Sequence, residues 1–211
     1  MTVHADASVS LESGDHLTRE EFHRRYSARP DINKAELIDG VVYVPSPLRG
    51  DYHGEPHGYV MLWLGYYAMQ VPEARCMDNT TLLLDDGVEA QPDAMLWRRG
   101  VSGPRMNAKG FIEGPPQLIV EVAASSASYD LHEKKEAYRR NGVREYVVWR
   151  VLDKAIDWFR LQDGGYVLVH PDAGGLIESE QFPGLRLRVA SMLDGDLATV
   201  LAALPERGGR R

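Results

Sequence analysis

The sequence predicts a mixed α/β (α+β) domain, a β-sheet of mixed character with helices packed on it, and three observations carry that prediction. Hairpin signals stand at Asp39-Gly40 and Asp85-Asp86-Gly87, where Asp-Gly supplies the positive φ angles of a tight turn. Apolar residues recur at helical spacing in two separated segments. Between the second hairpin signal and the second helical segment lies QLIVEV, a short apolar, β-branched run of the kind found in a central strand covered on both faces.

In chain order, Thr18 followed by Glu21 forms a capping box for a short helix, EEFHRRY, with Leu17 and Phe22 able to staple its entry. AELI and VVYV then flank Asp39-Gly40 as the first hairpin, closed by Pro45 and Pro47. From His57 to Met69, Val60, Leu64, Tyr67 and Ala68 share one helical face, and Pro72 ends the pattern. The second hairpin pairs MDNTTLLL with VEAQPDAMLW. Residues 98–116, rich in Gly and Pro, read as a long loop of the kind that often serves function. After QLIVEV, Asp130 with Glu133 reads as a capping box for a helix running to Asn141, stopped by Gly142. EYVVW, AIDWFRL and GYVLVH are further strands, and DLATVLAAL a closing helix.

The 211 residues, 44% hydrophobic and 26% charged, suit one globular core. That domain is expected over residues 16–204, between flexible tails at 1–15 and 205–211. No apolar run reaches the ~18 residues needed to span a bilayer, and the N-terminus has neither a basic start nor an apolar stretch, so a cytoplasmic protein is expected. The single Cys76 precludes an intramolecular disulfide or a cysteine zinc cluster. A formal charge of −7 argues against a general nucleic-acid coat protein. It leaves room for a basic face, for example along Arg98, Arg99, Arg105 and Lys109.

Three Pro-Asp pairs occur, and only Pro92-Asp93 falls in a strand pattern, while Pro30-Asp31 and Pro171-Asp172 sit in turn-like contexts. Glu121 interrupts the most apolar strand, where an unpaired carboxylate would cost several kcal/mol, on the order of what burial of any lone charge costs. Two carboxylates on adjacent strands repel unless a cation neutralises them, and hard oxygen ligands suit Mg²⁺, with Mn²⁺ as the natural substitute. The alternatives are a turn-capping Asp93 and an outward-facing Glu121. Leu131, Lys134, Ala137 and Tyr138 share one helix face, which turns the Lys134 ammonium toward the sheet. There it could orient a nucleophile or offset charge building on phosphorus, or simply cover apolar surface with its stem.

Taken together, ELIDG at 36–40, Pro45-Ser46-Pro47, Pro92-Asp93, LIVEV ending at Val122, Asp130 through Lys134 to Tyr138, and Gly142-Val143-Arg144-Glu145-Tyr146 resemble the Uma2 family. That family is a branch of the PD-(D/E)XK nuclease superfamily. The resemblance implies a restriction-endonuclease-like mixed sheet flanked by helices, with Asp93 and Glu121 as metal ligands. It also implies a catalytic lysine moved onto the following helix as Lys134, with Glu36 joining the site. His57 matches a histidine opening the family's second helix, and it and Tyr138 are candidate substrate contacts. The chain departs from the family where Ala123-Ala124-Ser125 replaces Leu-Ser-Pro and where Arg150 replaces an Asp.

The sequence thus points to a Mg²⁺-dependent endonuclease acting on DNA. A non-catalytic binding or accessory protein with a vestigial metal site is the alternative, favoured by the acidic charge. A small-molecule hydrolase finds no Ser-His-Asp or HExxH pattern. A homodimer is the expectation from oligomer statistics alone.

Overall fold

The computed structural model describes residues 10–45, 49–100 and 103–205. Helix α1 (Arg19–Ser27) is followed by the hairpin β1 (Glu36–Ile38) and β2 (Val41–Tyr43). A π-helical turn (Gly50–Gly54) runs directly into α2 (Glu55–Gln70). Six strands follow: β3 (Ala74–Asp78), β4 (Leu82–Leu83), β5 (Glu89–Ala90), β6 (Ala94–Arg98), β7 (Arg105–Met106) and β8 (Ile112–Glu113). Then come β9 (Leu118–Ala123), α3 (Ala127–Tyr129), a second π-helical turn (Asp130–Lys134) and α4 (Lys135–Arg140). Strands β10 (Glu145–Arg150), β11 (Ala155–Gln162), β12 (Gly165–Val169), β13 (Leu176–Glu178) and β14 (Arg186–Arg188) precede α5 (Val189–Leu193) and α6 (Leu197–Ala202).

Among the described residues the strands form two six-stranded sheets, β2-β1-β5-β4-β8-β7 and β12-β11-β10-β9-β6-β3, with β13-β14 a separate ribbon. β9 is central, parallel to β10 and antiparallel to β6, and all six of its residues are buried. Its alternation sorts the core. Leu118, Val120 and Val122 meet Val60, Trp63, Leu64 and Tyr67 of α2, whereas Ile119 and Ala123 meet Ala137 and Tyr138 of α4 and the apolar residues of the first sheet. Glu121 has the parity of that second group and points into the layer between the sheets.

The capping box at Thr18 forms as expected, its hydroxyl accepting from the Glu21 N–H, and Phe22 is fully buried. Asp39 (φ 53) and Gly40 (φ 76) adopt the turn angles the hairpin requires. The second hairpin differs from its expected form. Each long strand breaks in two, so that β4 and β5 pair in the first sheet while β3 and β6 pair in the second. The breaks fall at Asn79, with φ 43, and at Pro92, which has no N–H for a ladder.

Residues 98–116 are not all loop. β7 and β8 lie within them, and β8 pairs in parallel with β4 through Leu82 and Ile112. Two-residue strands are too short to show a period. The basic run there does not gather either: Arg105 is tied to Glu113 at 2.8 Å, while Arg98, on the other sheet, lies over the Phe182 ring. The helix expected to start at Asp130 begins at Ala127, and Asp130 turns its carboxylate inward to Lys134 instead of capping. Gly142 (φ 82) ends it as expected.

Of the expected N-terminal arm, residues 1–9 lie outside the described residues, as do Ser46, Pro47 and the tail 206–211. Residues 10–15 are already anchored: Leu11 is buried with Phe22, Leu37 and Val42, and Gly14 N–H donates to the Val42 carbonyl. A lone leucine in a polar stretch has no periodicity to betray that role. Among the described residues no helix is long and apolar enough to cross a membrane.

Candidate active site

The break at Pro92 sets Asp93 immediately before β6, so it lies at the strand's entrance, not within it. The antiparallel register pairs Ala94 with Val120, and one step further places Asp93 opposite Glu121. The two are stitched together through the backbone: Val122 N–H donates to Asp93 Oδ2 at 2.8 Å, and Asp93 N–H donates to Glu121 Oε2 at 3.3 Å.

Lys134 reaches this pair from the second π-helical turn. Its Nζ lies 2.7 Å from Glu121 Oε1, 3.2 Å from Glu36 Oε1 and 3.6 Å from Asp130 Oδ1, and its exposure is only 2%. Glu36, at the start of β1, also accepts the Gln91 N–H at 2.7 Å, which ties the first sheet to the site. The four sequence candidates Glu36, Asp93, Glu121 and Lys134 therefore converge.

The two candidate substrate contacts fall differently. Tyr138 is fully buried and donates its hydroxyl to Glu121 Oε1 at 3.0 Å, so it holds a carboxylate in place and presents no surface to substrate. His57 Nε2 lies 2.9 Å from the Asp93 carbonyl and 3.2 Å from Asp78 Oδ1, bracing the segment that carries Asp93. Arg150, at the end of β10, pairs with Asp157 at 2.7 Å and touches none of these residues.

Three further residues complete the cluster. Lys34 Nζ donates to Asp93 Oδ1 at 3.1 Å. Asp130 joins through Lys134. His53, in the first π-helical turn, places Nδ1 3.1 Å from the Val122 carbonyl and Nε2 3.6 Å from Asp93 Oδ1. Asp130 lies four residues before Lys134, but its capping-box pattern masks that role, and His53 precedes the periodic stretch of α2. Lys34 sits in a stretch without period. Its only signal is closeness to Glu36 in the chain.

The electrostatics follow from counting. Glu36, Asp93, Glu121 and Asp130 are all 4% exposed or less. Four carboxyl groups face the two ammonium groups of Lys34 and Lys134, so the acids outnumber their cationic partners by two. Burial pushes Glu121 up to about 8, against the pull of Lys134, and likewise raises Asp130. Burial acts on Asp93 too, but Lys34, His53 and Lys134 outweigh it and hold that carboxyl below its usual range. Lys134, despite burial, is held well above the usual lysine range by Glu121 and Glu36.

A hard divalent cation fits this donor set, since it could take the place of the proton that burial keeps on Glu121 and carboxylate oxygens are its preferred ligands. Among the described residues no three His, Cys, Asp or Glu side chains already form a metal cage. Lys134, seated on Glu121, takes part of that space. A cleft of about 680 Å³, lined by Arg19, His23, Glu89 and Phe111 among others, shares no residue with the cluster.

Comparison with known proteins agrees with this architecture. Residues 19–190 match the Uma2 family, described as "Putative restriction endonuclease". Among solved structures, one described as "a putative nuclease belonging to DUF820" from Anabaena variabilis superposes with a TM-score of 0.60 at 13% identity, covering 76% of this chain and 89% of that one. That likeness shows a shared fold, mixed sheets flanked by helices. No curated protein matches the chain.

Proposed function

Since the chain belongs to the Uma2 family, we propose that it is a Mg²⁺-dependent endonuclease hydrolysing phosphodiester bonds of DNA, with Mn²⁺ able to replace Mg²⁺. One observation carries this reading: acids from three strand regions and a helix-borne lysine meet in a buried cluster whose four carboxyl groups outnumber its two ammonium groups. A structural ion-pair cluster would be expected to balance, because an unmatched buried charge costs several kcal/mol, on the order of a lost ion-pair partner.

Asp93 and Glu121 would hold the cation, which when bound supplies Lewis-acid polarisation of a phosphodiester and an acidified water. Glu36 and Asp130 hold the Lys134 ammonium in place. Held protonated by its neighbours, Lys134 is no base. It acts as a fixed positive charge, suited to the negative charge that develops on phosphorus. Tyr138 keeps Glu121 oriented, and His57, with 15% of its side chain exposed, is the nearer candidate for touching substrate. A lone half-buried Cys76 is consistent with action in the reducing cytoplasm.

Incubation of purified protein with plasmid and linear DNA, with Mg²⁺, Mn²⁺ or EDTA, tests the reading. Cleavage should need the cation and be abolished in Asp93→Ala. Cleavage that Asp93→Ala retains in full would refute the assignment. The accessory-protein reading is favoured by the overall charge of −7 and by the Lys134 contact on Glu121. It predicts no cation-dependent cleavage by the wild type.

A further inference from the structure

His53 is 92% buried by its 8% exposure, yet its Nε2 is among the few buried side-chain atoms without a hydrogen-bond partner. The partner of its other nitrogen fixes how the ring is turned. Nδ1 lies 3.1 Å from the Val122 carbonyl, and a carbonyl oxygen only accepts, so Nδ1 carries the hydrogen and donates it. Nε2 then aims at Asp93 Oδ1 from 3.6 Å, beyond hydrogen-bond reach, so this buried nitrogen faces a carboxylate oxygen without bonding it. Lys34 contacts the same oxygen at 3.1 Å but also donates to Asn79 Oδ1 at 3.3 Å, and leaves Nε2 without a partner. An imidazole that donates one ring N–H to a backbone carbonyl and presents the other nitrogen beside a carboxylate has the arrangement of a metal-ligating histidine.

We infer that His53 Nε2 is a direct ligand of the divalent cation, alongside Asp93, and that this nitrogen biases the site toward first-row transition ions over Mg²⁺. The inference rests on the metal-dependent reading above and extends it to a ligand class, because imidazole strengthens binding along the transition series while Mg²⁺ prefers oxygen. The π-helical turn is what delivers His53. Its wider turn, placed ahead of α2, carries the ring across to β9.

The test is pulsed electron paramagnetic resonance of Mn²⁺ bound to the full chain, which reads a nitrogen nucleus coordinated to the ion. Wild-type protein should show that coupling, and it should persist in His57→Asn. His53→Asn retains a donor for the Val122 carbonyl and removes Nε2. It should lose the coupling and weaken Mn²⁺ binding by about tenfold or more, with a smaller loss for Mg²⁺. Mn²⁺ bound in an Asp93-dependent way without nitrogen coupling would overturn the role of His53 and leave the metal site standing. Absence of Mn²⁺ binding to the wild type would overturn both. The wild-type spectrum decides the matter even if His53→Asn folds poorly.

Discussion

Lys134 shows how much a single buried charge organises. Its ammonium touches Glu121, Glu36 and Asp130, and Lys134→Met would leave these acids facing one another. We expect a loss of about 3–5 kcal/mol in urea unfolding at neutral pH, and a smaller loss in acid, where the carboxyls take protons. Glu121 gives the chain a distinctive pH dependence. Pushed up to about 8 by burial, it keeps its proton in the folded chain where the unfolded chain has released it. Its contribution to stability is whole below the unfolded carboxylate range and lost as pH climbs through the folded value. Thermal melts in metal-free buffer should therefore fall across roughly pH 5 to 8, and more shallowly in Glu121→Gln. Glu121 was legible in the sequence because an acid in an apolar strand demands a partner. The partners Lys34, Asp130 and His53 were not, since nothing local requires them to be buried.

At the scale of elements, what could be read was whatever carried its own signal: the Thr18 cap, the Asp39-Gly40 turn, the apolar β9 and the Gly142 stop. The bent hairpin could not be read, because the polar stretches at 78–81 and at Gln91-Pro92 suit an edge strand and a break alike, and the strands divide there, at Asn79 and Pro92. That division brings Asp93 to the mouth of β6, opposite Glu121. The turn holding Glu36 in register is equally exacting. A Cβ at Gly40 would meet the Leu17 carbonyl at 3.3 Å in a left-handed conformation, φ 76. Gly40→Ala should cost about 1–2 kcal/mol by differential scanning calorimetry. The two π-helical turns deliver His53, Asp130 and Lys134, so helical segments that depart from regular geometry supply the residues that gather around the strand-borne acids.

For the whole molecule, family and fold were legible because motifs spread from residue 36 to residue 146 keep their order, however weak each is alone. Where substrate would lie was not, because the basic residues at 98–109 are divided between sheets and partly neutralised. With an overall charge of −7, the proposed nucleic-acid substrate would have to be held locally, with the cation's help. Fluorescence anisotropy with duplex DNA in Ca²⁺ should show tighter binding than in EDTA, where Kd should be about 1–100 μM or weaker at physiological salt. Submicromolar binding in EDTA would place the contacts elsewhere on the surface. The central claim is that the four-acid, two-lysine cluster is a divalent-cation site. Calorimetric titration of the full chain with Mg²⁺ tests it most directly: the account predicts saturable binding that Glu121→Gln loses, and no binding by folded wild-type protein at millimolar Mg²⁺ would contradict it.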